Sequence, residues 1–135
     1  MTYVPESLRR LVSQRAEDRC EYCRLHRQHG LFAHEIDHIY AEKHHGQTVE
    51  SNLCLACSDC NSYKGSDLCS LDTDSGQVVA LFHPRKDEWS DHFRLETSCR
   101  IAPLTATARV PVELLRINTA ETVAERASLI RLEEF

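Results

Sequence analysis

An α+β fold around a small metal-stabilised core is predicted by three features of this 135-residue chain. Two C-x-x-C pairs flank a stretch in which strand-like and loop-like segments alternate and end in a short helical one. Helix-like residues precede this stretch, and mixed strand and helix patterns follow it. A chain of this length fits one domain. We therefore expect a single domain over residues 1–135, with its core in 20–65 and an α/β elaboration in 66–135.

The first predicted element is a helix that starts at Pro5, because proline is favoured in the first turn of a helix. Apolar residues recur at helical spacing and predict the buried face: Leu8, Leu11, Val12 and Ala16. The same spacing turns three arginines toward solvent: Arg9, Arg10 and Arg15. The helix should end just before the sequence CEYC.

The core is predicted to run strand, loop, strand, short helix. Residues 31–39 place apolar residues among polar ones, which favours a strand, and a polar loop follows. Residues 52–57 are short, apolar and partly alternating, which indicates a second strand. The segment SDCNSYKG ends in Gly65, as a brief helix closing on glycine does.

The C-terminal half predicts a turn at residues 74–76 feeding a strand, then one or two helical turns in DEWSDHF and a hairpin in 93–103. Trp89 and Phe93, four residues apart, should be apolar anchors of this region. Pro111 should start a helix that reaches Ile117. Asn118 with Glu121 resembles a capping box that opens a last helix, with three residues on one face: Val123, Ala127 and Ile130.

Composition excludes several classes of protein. The longest apolar run, VVALF, is too short to span a bilayer, and the N-terminal residues lack a secretory signal, so we expect a cytoplasmic protein. A net charge of −5 weakens bulk attraction to nucleic acid. Positive charge is concentrated in residues 1–30, with six arginines against four acidic residues, so any DNA-contacting face should include that part.

The two C-x-x-C pairs predict a structural Zn²⁺ site. Each pair presents two sulfurs from one turn, and two such turns complete a tetrahedral site with no open position. We assign the ligands as Cys20, Cys23, Cys57 and Cys60. Two alternatives exist, because Cys54 forms another C-x-x-C pair with Cys57 and His26 lies three residues after Cys23. We prefer Cys60 over Cys54 because Cys54 lies inside a strand-like run.

Asp37 and His38 carry the elements of phosphodiester hydrolysis. An imidazole with an ordinary pKa can serve as general base near neutral pH, and a carboxylate supplies a hard oxygen for Mg²⁺. Adjacent residues of a regular strand point to opposite faces. The two side chains can therefore share a site only where the strand ends, and the following IYAEKHHG provides that end.

In this arrangement the chain resembles the HNH endonuclease family, the ββα-metal or His-Me finger nucleases. The matching residues are Cys20-x-x-Cys23, Asp37-His38-Ile39, Asn52-Leu53 and Cys57-x-x-Cys60-Asn61-x-x-Lys64-Gly65. They span about a third of the chain. The resemblance implies a ββα-metal core that cuts DNA and leaves 5′-phosphate and 3′-hydroxyl ends.

The resemblance also implies a role for each matching residue. His38 would be the general base, and Asn52 would brace the loop that holds its imidazole. Asp37 and Asn61 would bind the catalytic Mg²⁺ or Mn²⁺, in an H-N-N variant of the pattern. Lys64 would contact the phosphate, or else lie solvated at the helix end. Relatives often have Gly-Gly before Thr, whereas this chain reads His44-His45-Gly46-Gln47-Thr48, and His44 and His45 are more readily surface residues than phosphate or metal ligands.

Two other functions are weighed against DNA cleavage. A non-catalytic module could use the zinc-stabilised unit and the N-terminal arginines to hold nucleic acid or a protein. The presence of Asp37, His38 and Asn61 favours catalysis. A nuclease that acts inside an assembly, with a protein partner supplying specificity, is also compatible with the short acidic chain. Defence, mobility and toxin roles all stay open.

Overall fold

The α+β class is confirmed by a computed structural model that describes residues 3–135, so Met1 and Thr2 of the predicted domain lie outside it. Within the described residues, helices accompany three antiparallel sheets of two strands each. The chain divides into two compact units, Met1–Asp67 and Leu68–Phe135, which we call unit 1 and unit 2. The single-domain organisation over 1–135 stays a prediction.

Unit 1 contains the predicted strand, loop, strand and short helix. Helix α1 covers Glu6–Arg15, strand β1 Glu35–His38, strand β2 Leu53–Ala56 and helix α2 Ser58–Lys64. β1 and β2 pair antiparallel, with Glu35 opposite Ala56 and His38 opposite Leu53. Short 3₁₀ turns at Glu42–His44 and Glu50–Asn52 shape the loop between the strands. β1 is shorter than predicted, since residues 31–34 precede it.

The core of unit 1 lies between α1 and β2. Its buried apolar residues come from both elements and the chain before α1: Val4, Val12, Ala16, Leu53 and Leu55, with Leu8 and Ile36 packed against them. Leu11 is exposed, so its predicted burial is wrong. Arg15 donates to the backbone oxygens of Glu50 and Leu53, which corrects the prediction that it points to solvent. Burial lowers the pKa of Arg15.

Unit 2 contains the predicted hairpin, turn and helical turns. β3, Cys69–Asp72, pairs with β4, Gln77–Ala80, across the predicted turn. α3 covers Trp89–His92, and β5, Phe93–Leu95, pairs with β6, Ile101–Pro103. The rings of Trp89 and Phe93 stack with centroids 5.2 Å apart, and Phe93 is buried, as expected of apolar anchors.

The two last helices correct the predicted boundaries. α4 covers Ala106–Leu114, so Pro111 lies inside the helix and does not start it. Thr105 caps α4 by accepting from the amide of Ala108, and Pro111 is buried, so capping and burial outweigh the proline's usual position.

α5 covers Ala120–Arg131 and is capped by Thr119, not by the predicted Asn118. The Asn118 side chain instead bonds to both backbone polar groups of Ile101. The fully buried residues of α5 are Arg126 and Leu129, whereas the three residues of the predicted face, Val123, Ala127 and Ile130, are partly buried.

Across residues 3–135, no helix combines the length and the apolar character that a bilayer crossing requires.

Candidate active site

The four predicted zinc ligands meet in unit 1. Their sulfur atoms all lie within 4.8 Å of one another, and the sulfurs of Cys23 and Cys57 are 3.7 Å apart. A tetrahedral Zn²⁺ with bonds of about 2.3 Å places its sulfurs about 3.8 Å apart. The four cysteines therefore form a site that could bind structural zinc. Cys57 caps α2 and Cys60 lies in its first turn, so the site holds the start of this helix.

The electrostatics of the four thiols fit a thiolate site. Burial opposes ionisation of Cys20, but hydrogen bonds from the other three thiols outweigh it and hold the pKa of Cys20 well below its usual value. The hydrogen bond to Cys20 raises the pKa of Cys23. A divalent cation would stabilise all four sulfurs as thiolates.

The two alternative zinc ligands lie elsewhere. Cys54 is buried in β2, where its thiol contacts the Tyr22 hydroxyl at 3.7 Å and Asp37 Oδ2 at 3.9 Å. His26 accepts a hydrogen bond from the amide of Gln28 and caps a short 3₁₀ turn. Neither residue belongs to the cysteine cluster. The preference for Cys60 over Cys54 therefore agrees with the structure.

Asp37 is held by Lys64, which reaches it from α2. Lys64 Nζ lies 3.2 Å from Asp37 Oδ2 and donates to the backbone oxygens of His38 at 3.3 Å and Ile39 at 3.1 Å. Lys64 is only 2% exposed and Asp37 8%. Burial raises the pKa of Asp37, while the lysine and the nearby His38 work against that rise.

The buried position of Lys64 corrects part of the sequence analysis. A solvated lysine at the helix end is wrong, because the ammonium group fixes the backbone where β1 ends. The predicted contact with phosphate stays a prediction. Both contacts of the Asp37 carboxylate within the described residues use Oδ2, so Oδ1 is the oxygen that Lys64 and Cys54 leave for another ligand.

Asn61 lies one turn before Lys64 on α2 and contacts a different residue of β1. Its amide nitrogen donates a hydrogen bond to Oε2 of Glu35. Glu35 and Asp37 are two residues apart on β1 and therefore face the same side of the strand. Amide and carboxylate oxygens, such as those of Asn61 and Asp37, are ligands of the kind that Mg²⁺ and Mn²⁺ prefer.

His38 and Asn52 organise the loop between β1 and β2. His38 Nε2 lies 2.9 Å from the Thr48 hydroxyl. Asn52 accepts from the amide of Tyr40 at 2.9 Å and donates to the backbone oxygens of Tyr40 at 3.0 Å and Gln47 at 2.9 Å. Its side chain thus ties the start of the loop to the residue before Thr48, and its role as a brace for the His38 imidazole stays a prediction.

Two further residues of the site were not assigned from the sequence. They are Thr48, in the loop between the strands, and Glu35, at the start of β1. The alternation of Glu35 with Asp37 along β1 was the available signal for Glu35. Nothing in the sequence pairs Thr48 with His38, because that contact depends on how ten residues of loop fold back.

The comparisons support the resemblance over this part of the chain. Residues 20–67, about a third of the chain, match the family model described as HNH endonuclease, and this span contains both metal-site candidates. No curated protein and no solved structure matches the chain significantly. An HNH domain indicates a nuclease-type function with a nucleic acid substrate.

Proposed function

Because the chain carries an HNH endonuclease domain over residues 20–67, we propose that it is a metal-dependent endonuclease that hydrolyses the phosphodiester bonds of DNA. The observation that carries the proposal is the end of β1. There Asp37 is anchored by Lys64, His38 is anchored by Thr48, and α2 presents Asn61 to the same strand. A hard-oxygen ligand set thus accompanies an imidazole fixed at one nitrogen.

Asp37 and Asn61 are the proposed ligands of a catalytic Mg²⁺ or Mn²⁺. Each has one polar atom already engaged: Oδ2 of Asp37 with Lys64 and Nδ2 of Asn61 with Glu35. In each side chain the remaining atom is Oδ1, and such an oxygen is the ligand that a hard cation requires. When bound, such an ion supplies positive charge that stabilises the negative charge developing on the phosphate and on the leaving oxygen.

His38 is the proposed general base. In the tautomer that donates from Nε2 to Thr48, Nδ1 carries the lone pair that accepts a proton from water. The water oxygen bonds to phosphorus, the bond from phosphorus to the 3′ oxygen breaks, and that oxygen takes up a proton from solvent. The products are a 5′-phosphate and a 3′-hydroxyl. A base of this kind contributes about 10²- to 10⁴-fold to the rate.

The remaining residues of the site position these groups. Asn52 holds both ends of the loop that carries Thr48, and Lys64 holds the backbone of His38 and Ile39. The cysteine cluster is the proposed structural Zn²⁺ site, because four thiolates fill a tetrahedral ion and leave no position for substrate. Zinc would therefore hold the start of α2 and take no part in the chemistry.

Cleavage of supercoiled plasmid DNA by the zinc-loaded protein tests the proposal. With Mg²⁺ or Mn²⁺ we expect nicked or linear product, and a His38→Ala protein should lose this activity while keeping its zinc and its circular dichroism spectrum. His26→Ala is the matched control, since it removes another imidazole of unit 1 from outside β1 and α2. A linear RNA substrate run in parallel distinguishes the two nucleic acids.

Two outcomes would oppose the proposal. Equal cleavage by the parent and the His38→Ala protein would remove the general base assigned here. Binding of DNA without cleavage, across a series of divalent ions, would instead favour the non-catalytic module.

A further inference from the structure

Two pairs of polar side chains join α2 to β1. Asn61 and Lys64 are one helical turn apart on α2, while Glu35 and Asp37 are two residues apart on β1. Asn61 contacts Glu35, and Lys64 contacts Asp37. The Lys64 contact fixes a proposed metal ligand directly. The Glu35 contact acts on the other proposed ligand, Asn61, whose side chain ends in an amide and not in a symmetric carboxylate.

An asparagine amide has two chemically different ends. The carbonyl oxygen can bind a cation, whereas the NH₂ group can only donate hydrogen bonds. Rotation of the amide by half a turn exchanges the two ends at little steric cost. A metal ligand of this type therefore needs a neighbour that selects one orientation.

Glu35 has the chemistry to make that selection. Its ionised carboxylate accepts hydrogen bonds and cannot donate them, so it attracts the NH₂ group of Asn61 and repels the carbonyl oxygen. Glu35 is exposed, and the only hydrogen bond or ion pair of its side chain within residues 3–135 is the one with this amide. We infer that Glu35 is a positioning residue that orients the Asn61 amide so that Oδ1 is presented to the catalytic cation.

The inference rests on the proposed function. The expected loss of cation affinity without Glu35 follows from the conformational freedom that the Asn61 side chain would regain. Without Glu35 the side chain would share its population among about six states, three for χ1 and two for the amide. Because the apparent affinity falls with the competent fraction, binding should weaken by up to about sixfold. Loss of a partner that polarises a metal ligand typically costs about tenfold or more. We therefore expect a decrease between about fivefold and tenfold.

Titration of zinc-loaded protein with Mn²⁺, followed by calorimetry and by electron paramagnetic resonance of free Mn²⁺, measures this affinity without any cleavage. Glu35→Ala should weaken binding by the stated factor. Glu35→Gln can accept from the Asn61 NH₂ group or donate to its oxygen, so it keeps the side-chain rotamer but not the choice of amide orientation, and it should weaken binding by about twofold. Asp59→Ala, which removes an exposed charge two residues from Asn61, is the matched control for simple loss of negative charge.

The outcomes separate orientation from other roles. Glu35→Ala with parental affinity would overturn the inference. So would Glu35→Gln binding as weakly as Glu35→Ala, since Glu35 would then act by its charge or as a ligand. No Mn²⁺ binding by the parent would overturn it as well.

The side-chain amide of Asn61 gives a second readout. In ¹⁵N-resolved NMR of the zinc-loaded protein, its two protons should move and broaden in Glu35→Ala but not in Asp59→Ala, and an unchanged signal would also oppose the inference. Failure of the proposed function is distinguishable from failure here: a parent that binds Mn²⁺ but cuts no nucleic acid loses the nuclease assignment and keeps the orienting role of Glu35.

Discussion

Replacing Lys64 with methionine tests the buried ion pair between α2 and β1. Methionine replaces the apolar stem of the lysine side chain and removes its charge and its three donors. Asp37, which is 8% exposed, then loses the cation that lies 3.2 Å from its Oδ2. The backbone oxygens of His38 and Ile39 lose a donor as well.

The magnitude depends on how the folded variant accommodates Asp37. Leaving the buried carboxylate charged and unpaired costs about 3–5 kcal/mol. Protonating it costs about 1.4 kcal/mol for each pH unit above its ordinary pKa of 3.8, or about 4 kcal/mol at pH 7. Both routes are similar at neutral pH, so we expect the free energy of unfolding to fall by about 3–4 kcal/mol.

The sign of the pH dependence follows from the same carboxyl group. Burial already raises the pKa of Asp37 in the parent protein, and loss of Lys64 raises it further. A group whose folded pKa lies above its unfolded value destabilises the fold increasingly as pH rises between the two. The destabilisation should therefore shrink at about pH 5, to below about 2 kcal/mol, because protonation there costs little.

Urea unfolding of zinc-loaded protein at pH 5 and pH 7, without added Mg²⁺, provides the measurement. Lys43→Met, at an exposed lysine of the loop, is the control and should change stability by no more than about 0.5 kcal/mol. Adding Asp37→Asn to Lys64→Met should recover stability at pH 7 because it removes the stranded charge. A loss below about 1 kcal/mol, or one equal at both pH values, would refute the reasoning.

Three further predictions concern the loop, the zinc site and unit 2. A Cβ at Gly46 would lie 1.7 Å from the Tyr40 oxygen and 2.9 Å from Asn52 Nδ2. Gly46→Ala should therefore abolish plasmid cleavage while zinc content is unchanged. Full activity would contradict the proposed bracing of the loop by Asn52. Cys57→Ser should lose zinc in native mass spectrometry, whereas Cys54→Ser should retain one equivalent; the reverse pattern would reassign the ligands. Hydrogen bonds from Arg109 hold the pKa of the buried Asp72 well below its ordinary 3.8, so this carboxylate stabilises unit 2 above that pH and the stabilisation is lost as pH falls below it. The thermal midpoint of the parent should therefore fall more steeply between pH 5 and pH 3 than that of Asp72→Asn, and parallel curves would exclude this contribution.

Local patterns were sufficient for the elements that carry the site. The C-x-x-C spacing determines which sulfurs one turn can present, and the helix closing at Gly65 follows from backbone chemistry within a few residues. The match of residues 20–67 to the HNH model likewise rests on motif residues within one segment of the chain. These predictions held because each depends on residues close together in sequence.

Predictions failed where a residue's environment is set by distant parts of the chain. Helical periodicity does not predict that Arg126 is buried. The free-energy cost of burying its charge is offset by hydrogen bonds to the backbone oxygens of Cys99 and Ile117, which lie far away in sequence or outside the helix. The usual preference of proline for the first turn of a helix likewise did not predict that Pro111 lies inside α4, where its side chain is fully buried. The partners of Lys64 and Asn61 depend on how α2 packs against β1, which no local signal records.

The polar residues of α2 explain how one short helix can contribute ligands to both proposed metal sites. Cys57, Cys60, Asn61 and Lys64 follow the spacing i, i+3, i+4 and i+7, which is the stripe that an amphipathic helix turns to the core. Apolar residues normally occupy such a stripe, and a helix of seven residues is not stable alone. Here the stripe is polar, so side-chain contacts with β1 hold the later part of α2, and a zinc ion bound by the four cysteines would hold its start. The same contacts that stabilise the helix therefore also set the positions of the proposed ligands on Asp37 and Asn61.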